Sequence, residues 1–543
     1  MNDNSFNKAG RRSSPLILCH TSLNLTFFSY FCLMGFKHIT IKQPTGYNAK
    51  RLRKKIERLL NITDFTYQIE NKSLDARKKN NIHWQLRVLV NSPEFGGDEL
   101  EKKPGLIIPY KKRNEKAVVV GTGPAGFFAA FVLQKAGFHT TLIDRGTDVK
   151  KRDAGIRNFE KNGKFDSQSN YAFGEGGAGT FSDGKLTSRS KRISLEKEFI
   201  LSQYVKAGAP EEIEYMAHPH LGSDNLKVIV NSLSQQFQEI GGVVLFETML
   251  EDLKVIDGKV TQAITSTESL DADYFLIASG HSAFETYRML MHRGIKFHTK
   301  NFAIGSRMEH PQELINMAQW GKPSIMGVKA AEYRLTSKGD GNQQIYTFCM
   351  CPGGVLVPAT AYEHTNIVNG MSQYQRDAKF ANAACVSNLN LNNLLGREVS
   401  ASEALDWLEK LEESFFNYSG SYKAPFCSIH DFISKRETTK NIETSYPFGV
   451  VPAPLWELLP DTVSKAMRNG LKDFSGKIKG FKTGNIMGLE SKTSAAIQVE
   501  RDENRLCLGF TNLYIIGEGS GYAGGIISSA ADGVKAAMGI VDK

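Results

Sequence analysis

The sequence has little cysteine and no unbroken apolar stretch of membrane length. Seven cysteines in 543 residues (19, 32, 349, 351, 385, 427 and 507) show no CxxC spacing. This argues against an iron–sulfur cluster, a structural zinc site and a disulfide framework, and a reducing cytoplasm is the expected setting. The most apolar segment, residues 15–36, is broken by His20, Thr21, Ser22, Asn24 and Thr26 and precedes no small-x-small cleavage site. Neither a signal peptide nor a membrane span is expected. Residues 1–33 are expected to be a disordered or non-native extension, with Met34 as the functional start. No low-complexity tract or internal period is present, which excludes a solenoid.

Length and charge then divide the chain. At 543 residues it is too long for one core, so two or three domains are expected. The net charge of +10 is unevenly spread: residues 1–116 carry 22 Lys+Arg against 10 Asp+Glu, and the remainder 45 against 47. The basic part reads as a compact unit. Lys37–Gln43 alternates like a strand, and Asn48–Asn61 puts Leu52, Ile56, Leu59 and Leu60 on one helical face. Phe65–Glu70 and the alternating Ile82, Trp84, Leu86, Val88 and Val90 read as two further strands. This β-α-β-β order suits a small ferredoxin-like α+β domain over 34–95, followed by a linker over 96–115.

What the chain does have is glycine at informative spacing. An apolar β-branched run, Val118 to Val120, enters Gly121-Thr122-Gly123-Pro124-Ala125-Gly126. A helical stretch follows, then a second strand (Thr140 to Ile143) ending in Asp144-Arg145. That is a complete βαβ dinucleotide-binding unit. Gly121 permits the tight turn, Gly123 lets a pyrophosphate approach the backbone, and Gly126 allows close helix–sheet packing. The helix N-terminus offers unpaired N–H groups to phosphate, and Asp144 is positioned to hold both hydroxyls of an adenosine ribose.

A second element selects the dinucleotide. Asn512 to Ile516 is an apolar strand ending in Gly517-Glu518, and a turn containing Gly524-Gly525-Ile526 opens a helix to about Ala537. Such a closure suits FAD, with the acid near the ribityl or pyrophosphate and the helix N-terminus aimed at the flavin N1/C2 carbonyl. Upstream, a helix from Val228 to Ile240, Gly241-Gly242, a short strand, a two-stranded hairpin and an apolar strand ending in Ala278-Ser279-Gly280 fit a return to the same sheet. Between them, Phe173 to Leu186 contains Gly176-Gly177-Ala178-Gly179, whose free amides suit the pyrophosphate and flavin; a surface loop is the alternative. His218 to Asp224 reads as a turn rather than a metal site, and no metal is expected. Cys349-Met350-Cys351 reads either as a packed pair or as a thiol near the flavin. His281 reads equally as a cofactor neighbour or a packing residue.

Several strings resemble the bacterial FAD-dependent dehydrogenases of unassigned substrate: Ser73 to Arg77, Gly174 to Leu186, Cys351 to Gly354 and Gly517 to Ile526. The resemblance covers 34–543 and implies a small N-terminal α+β domain, FAD and an oxidoreductase role. It names no substrate and no catalytic residue. The resulting expectation is an α/β protein. A discontinuous Rossmann-like FAD-binding domain (116–281 and 501–543) carries an inserted α+β substrate or cap domain (282–500). The partner would be a small-molecule substrate, with NAD(P)H as a possible transient donor. The alternatives are an RNA-modifying flavoenzyme using Arg51, Arg53, Lys54, Lys55 and Arg58, and a flavin-binding sensor without turnover.

Overall fold

The computed structural model describes residues 35–96, 104–188, 190, 192–341, 343–439 and 442–543. The extension expected over 1–33, with Met34, lies outside the described residues, as does part of the expected linker. The described chain is a mixed α/β protein.

The basic unit consists of β1 (Gly35–Pro44), α1 (Ala49–Leu60), β2 (Thr66–Asp75) and β3 (His83–Ser92), in a sheet of order β1-β3-β2. Both pairings are antiparallel, so β1 and β2 run parallel across the α1 crossover. The Asn48 side chain caps α1 by accepting from the Arg51 N–H at 2.9 Å, and Asn61 ends it in the left-handed region. Leu52 and Ile56 pack on Ile41, Trp84, Leu86 and Val88, leaving the lysines and arginines outward. Among the described residues the unit is β-α-β-β, four of the six elements of a ferredoxin-like fold, without a second helix and fourth strand. It is tied to the rest by backbone bonds of Lys72 with Tyr215 (2.8 Å) and Ala217 (2.9 Å).

Five further strands form a wholly parallel sheet: β4 (Lys116–Val120), β5 (His139–Ile143), β6 (Val243–Leu245), β10 (Tyr274–Ile277) and β21 (Leu513–Ile515), in the order β21-β10-β4-β5-β6. The near-continuous apolar runs of β4 and β10 fit burial on both faces. Helix α2 (Pro124–Lys135) and the C-terminal helix Ile526–Val541 lie together on one face. Three expectations change here. The hairpin is a three-stranded sheet, β7 (Leu250–Ile256), β8 (Lys259–Thr265) and β9 (Ser269–Asp271). The segment read as a turn at 218–224 already contains the start of helix Gly222–Glu239, and the last helix runs to Val541 rather than Ala537. Propensity marks the interiors of elements better than their ends.

Between β10 and β21 the chain leaves and returns through a two-stranded ribbon, β11 (Phe297–Thr299) with β20 (Ile497–Val499). Beyond it stands an eight-stranded sheet built from β12 (Phe302–Pro311), β13 (Thr336–Ser337), β14 (Ile345–Pro358), β15 (Val368–Ser372), β16 (Phe380–Leu389), β17 (Ala424–Ser428), β18 (Val450–Pro452) and β19 (Asn485–Glu490). Its order is β13-β14-β16-β12-β19-β17-β18, with β15 on β14. Helices Ala401–Ser419 and Asp461–Lys477 contribute buried leucines and Phe474 to its core. No helix among the described residues is long and apolar enough to cross a membrane.

Candidate functional site

The carboxyl edge of the parallel sheet gathers the glycine-rich segments. Gly121 turns out of β4 at φ 102°, where a Cβ would lie 2.4 Å from the Ala278 carbonyl. A Cβ on Gly126 would fall 1.9 Å from the Gly121 carbonyl. Gly123 differs: a Cβ there meets only Gly177 Cα, at 3.7 Å. Gly123 is the N-cap of α2, and Gly525 is the N-cap of the C-terminal helix; neither helix has a side-chain cap. Two helices that follow β4 and β21, the strands on either side of β10, thus present uncapped N-termini at one sheet edge, where N–H groups and dipoles favour negative charge. The helices touch closely there: a Cβ on Gly533 would lie 2.0 Å from the Ala125 carbonyl, and one on Gly517 2.6 Å from Ala125 Cβ.

The 174–181 loop bridges the two N-termini. A Cβ on Gly177 would sit 2.9 Å from Gly123 Cα, and one on Gly179 would sit 3.2 Å from Ile526 Cγ1. Gly176 faces the other way, toward Thr180 and Val230, and Ala178 opens a short 3-10 turn to Phe181. Gly280 and Gly524 lie on the same edge, and a Cβ on Gly280 would meet nothing within 4 Å.

This loop is ordered by a residue that the sequence pattern did not single out. Arg152, on helix Val149–Asn162, is fully buried. Its Nε donates to Asn170 O (2.8 Å), Nη2 to Tyr171 O (2.9 Å), and Nη1 to the carbonyls of Gly174 (3.2 Å), Glu175 (2.9 Å) and Gly177 (2.8 Å). Burial pulls its pKa down to about 10, which leaves it charged at neutral pH. The signal available in the sequence was an arginine spaced with Val149, Ile156 and Phe159 on one helical face, ahead of a glycine-rich run.

Asp144 also works inward. One carboxylate oxygen accepts from Thr122 N (2.8 Å) and Thr122 Oγ1 (2.6 Å), the other from Gly146 N (2.9 Å) and Gly174 N (3.0 Å). These four donors occupy the usual acceptor positions of a carboxylate, so Asp144 ties together the chain around the expected ribose position. The aspartate, a methylene shorter than glutamate, clips the β4–α2 turn to the loop. Arg145 pairs with Glu285, which also accepts from Tyr362 Oη, and lies over the Phe173 ring at 4.2 Å.

Across the edge, Glu518 Oε2 lies 3.4 Å from His281 Nδ1, and neither ring nitrogen of this half-buried histidine makes a hydrogen bond. Asp532, held by Arg501, accepts the Gly517 N–H at 2.9 Å and so fixes the closing turn. His220, weighed as a metal ligand, is buried instead against Tyr374, with Nε2 3.0 Å from the Tyr374 carbonyl.

The large sheet brings charge to the loop's far end. Asp183 is buried between Lys185 (2.7 Å) and Arg376 (2.9 and 2.5 Å). Burial disfavours its anion, but Lys185 and Arg376 prevail and hold the carboxyl well below the usual range. Arg307 of β12 is fully buried, 3.5 Å from Glu490 of β19, and donates to Cys349 O of β14 at 3.1–3.2 Å. The signal in the sequence was the charged pair Arg307 and Glu309 inside an otherwise apolar strand.

Residues 301–493 match the family model described as "FAD-dependent protein, C-terminal domain-like". An uncharacterized protein of Clostridium beijerinckii is 37% identical over 514 residues, which cover 91% of this chain and 96% of the relative. Among solved structures, L-proline dehydrogenase from P. horikoshii is 12% identical at a TM-score of 0.33, covering 80% of this chain and 94% of its own. Glycine oxidase from Bacillus cereus is 10% identical at a TM-score of 0.32, covering 79% and 95%.

Proposed function

Because the chain belongs to the family of FAD-dependent proteins, we propose that it is an FAD-dependent oxidoreductase that passes a hydride or electrons between bound FAD and a small-molecule substrate, with NAD(P)H as a transient donor. A cytoplasmic setting is part of the same proposal. So is the division into a discontinuous Rossmann-like FAD domain (116–281 and 501–543) and an inserted substrate domain (282–500). The β11–β20 ribbon, which pairs the insertion's two ends, supports that division.

One observation carries the reading: two glycine-capped helix N-termini at one sheet edge, bridged by a loop of glycines. We read this edge as the cradle of an extended dinucleotide. Gly123 and Gly280 bring backbone, and no side chain, to the edge, and His281, beside Glu518, offers ring nitrogens that make no hydrogen bond within the chain. Gly121, Gly123 and Gly126 with the start of α2 would hold the pyrophosphate. Gly177, Gly179 and the Gly524–Ile526 turn would hold the flavin end. When bound, FAD supplies the two-electron redox group.

The chain's own residues have separable tasks. The α2 N-terminus binds anionic oxygen, and the C-terminal helix favours negative charge at its start. Arg152 and Asp144 fix the loop, and Asp532 fixes the closing turn. The RNA-modifying alternative draws no support, since Arg53 donates to Phe65 O and Lys55 to Lys42 O within the small unit. The test is the absorption spectrum of the purified protein, with release and chromatographic identification of its cofactor. A yellow protein releasing FAD is expected; a colourless protein that FAD cannot load overturns the proposal.

A further inference from the structure

Cys349 and Cys351 stand on an irregular stretch of β14, where the register to β16 shifts between Phe348 and Cys351 and again before Gly354. Cys349 has φ 41°, a left-handed backbone that a side-chain-bearing residue rarely adopts. The distortion turns consecutive carbonyls toward cations. Cys349 O accepts from both Arg307 terminal nitrogens, and Met350 O accepts from Lys185 Nζ. Arg307 Nη2 also approaches Cys351 Sγ at 3.8 Å, and the buried Arg307 Nε has no partner. Cys349 is half-buried and Cys351 fully buried.

We propose that this pair is a thiol–disulfide exchange site, in which Cys349 is the attacking thiolate, Cys351 the resolving thiol, and a small-molecule disulfide the substrate class. The site goes beyond the flavin-dependent reaction and does not require it. Two thiols one residue apart, the first on a partly exposed residue and the second on a fully buried one, suit an electrophile that one thiolate opens and the second releases.

In the first step the disulfide S–S bond breaks, a new S–S bond forms to Cys349, and the departing thiolate takes a proton from solvent. Cys351 Sγ then attacks Cys349 Sγ, the mixed disulfide's S–S bond breaks, and the Cys351 proton passes to the departing sulfur, which leaves as the second small thiol. One small disulfide is thereby reduced to two thiols as the pair is oxidised to a disulfide.

The electrostatics agree. The Cys351 thiol, then Lys185 and Arg307, pull the Cys349 pKa down against burial and Asp183. Hydrogen bonding to Cys349 and burial push Cys351 up, so it keeps its proton. Glu490 opposes from β19, but burial pushes its carboxyl up toward neutrality. Arg376 adds positive charge behind Asp183. Cys385, Cys427 and Cys507 are buried with raised pKa values and serve as internal controls.

The experiment treats the full chain, reduced and desalted, with 4,4′-dithiodipyridine, and locates the products by peptide mass mapping, which separates Cys19 and Cys32. Expected is release of two thiopyridones at this site, with a Cys349–Cys351 crosslink. Cys351→Ser should stop at one, with the mixed disulfide retained on Cys349. An ordinary thiol of pKa about 8.5 is only about 3% thiolate at pH 7, so alkylation of Cys349 by iodoacetamide should exceed that reference by about ten- to thirtyfold. Lys185→Met should move the midpoint of its pH profile upward. If Cys351→Ser does not fold, the wild-type crosslink and alkylation profile carry the test. Reaction of Cys349 at the ordinary rate, or a mixed disulfide in the wild type that never resolves, overturns the proposal. A protein without FAD would leave it standing.

Discussion

Replacing Arg152 with methionine tests whether one buried guanidinium holds the glycine-rich loop. Of the five carbonyls it serves, Gly174 O also accepts from Gly177 N–H, Glu175 O from Thr180 Oγ1, and Gly177 O from Thr180 N–H. Among the described contacts, Asn170 O and Tyr171 O accept from Arg152 alone. Methionine keeps much of the apolar stem but leaves those two acceptors buried and unpaired, at about 1–3 kcal/mol each. Removing the desolvation penalty of a buried cation returns part of this. A net local loss of about 2–4 kcal/mol corresponds to about 30- to 1000-fold faster opening. The assay is hydrogen exchange of amides 171–181, read beside those of β4 and β10 as an undisturbed reference. Arg152→Lys, with three donors instead of five, should fall between. FAD retention through gel filtration should decline in the same order. Unchanged exchange in Arg152→Met, with full cofactor retention, would refute the reasoning.

Two glycines of the same turn should separate binding from folding. Gly123→Val should fold and lose FAD, because its Cβ meets only Gly177 Cα at 3.7 Å; a normal unfolding midpoint with a colourless protein checks this. Gly126→Ala should cost about 1–3 kcal/mol or more in stability, since its Cβ would lie 1.9 Å from a carbonyl oxygen, and urea unfolding reads it. Burial pulls both His220 and His310 down to about 4. Unfolded histidine binds its proton near pH 6.5, so the folded state binds fewer protons between 6.5 and 4, and stability falls as pH drops through that window. The loss should approach roughly 3 kcal/mol per histidine; urea midpoints at stepped pH measure it, and His310→Gln should flatten the slope. Asp183→Asn leaves Lys185 and Arg376 facing one another without their shared anion, at about 3–5 kcal/mol. Denaturation and proteolysis near residue 186 report that loss.

The contrast between what the sequence made legible and what it hid follows from the range of the interactions. The β4–α2 turn is encoded within ten residues, so Gly121, Gly123 and Gly126 announce it wherever they fall. The closing strand at Leu513–Ile515 is equally local, and only its partnership with β10 is remote. That closure already pointed to FAD, and the resemblance implied the same cofactor. It could not place Arg152, whose meaning lies in five carbonyls 18–25 residues downstream. Asp144 shows a finer limit. Its position after the second strand is that of a ribose ligand, but the hydrogen bonds it accepts from the chain depend on where the Gly174 N–H arrives, 30 residues later.

The chemistry facing the cradle is illegible for a stronger reason. Arg307, Cys349 and Glu490 come from strands up to 183 residues apart, and none carries a motif of its own. What brings them together is sheet order. Strand β12 lies between β16 and β19, and β14 reaches Arg307 only because its register slips at Cys349. A regular strand would hold the Cys349 carbonyl in the ladder to β16 instead of offering it to a guanidinium. The strain at Cys349 and the burial of Arg307 are therefore one feature: the cation compensates the distorted backbone, and the distortion sets a thiol beside the cation. Replacing Arg307 alone would remove both the compensation and the charge, and could not say which mattered. Lys185, which reaches the same bulge from the cofactor loop with its stem partly exposed, allows the charge to be changed while β14 keeps its partner.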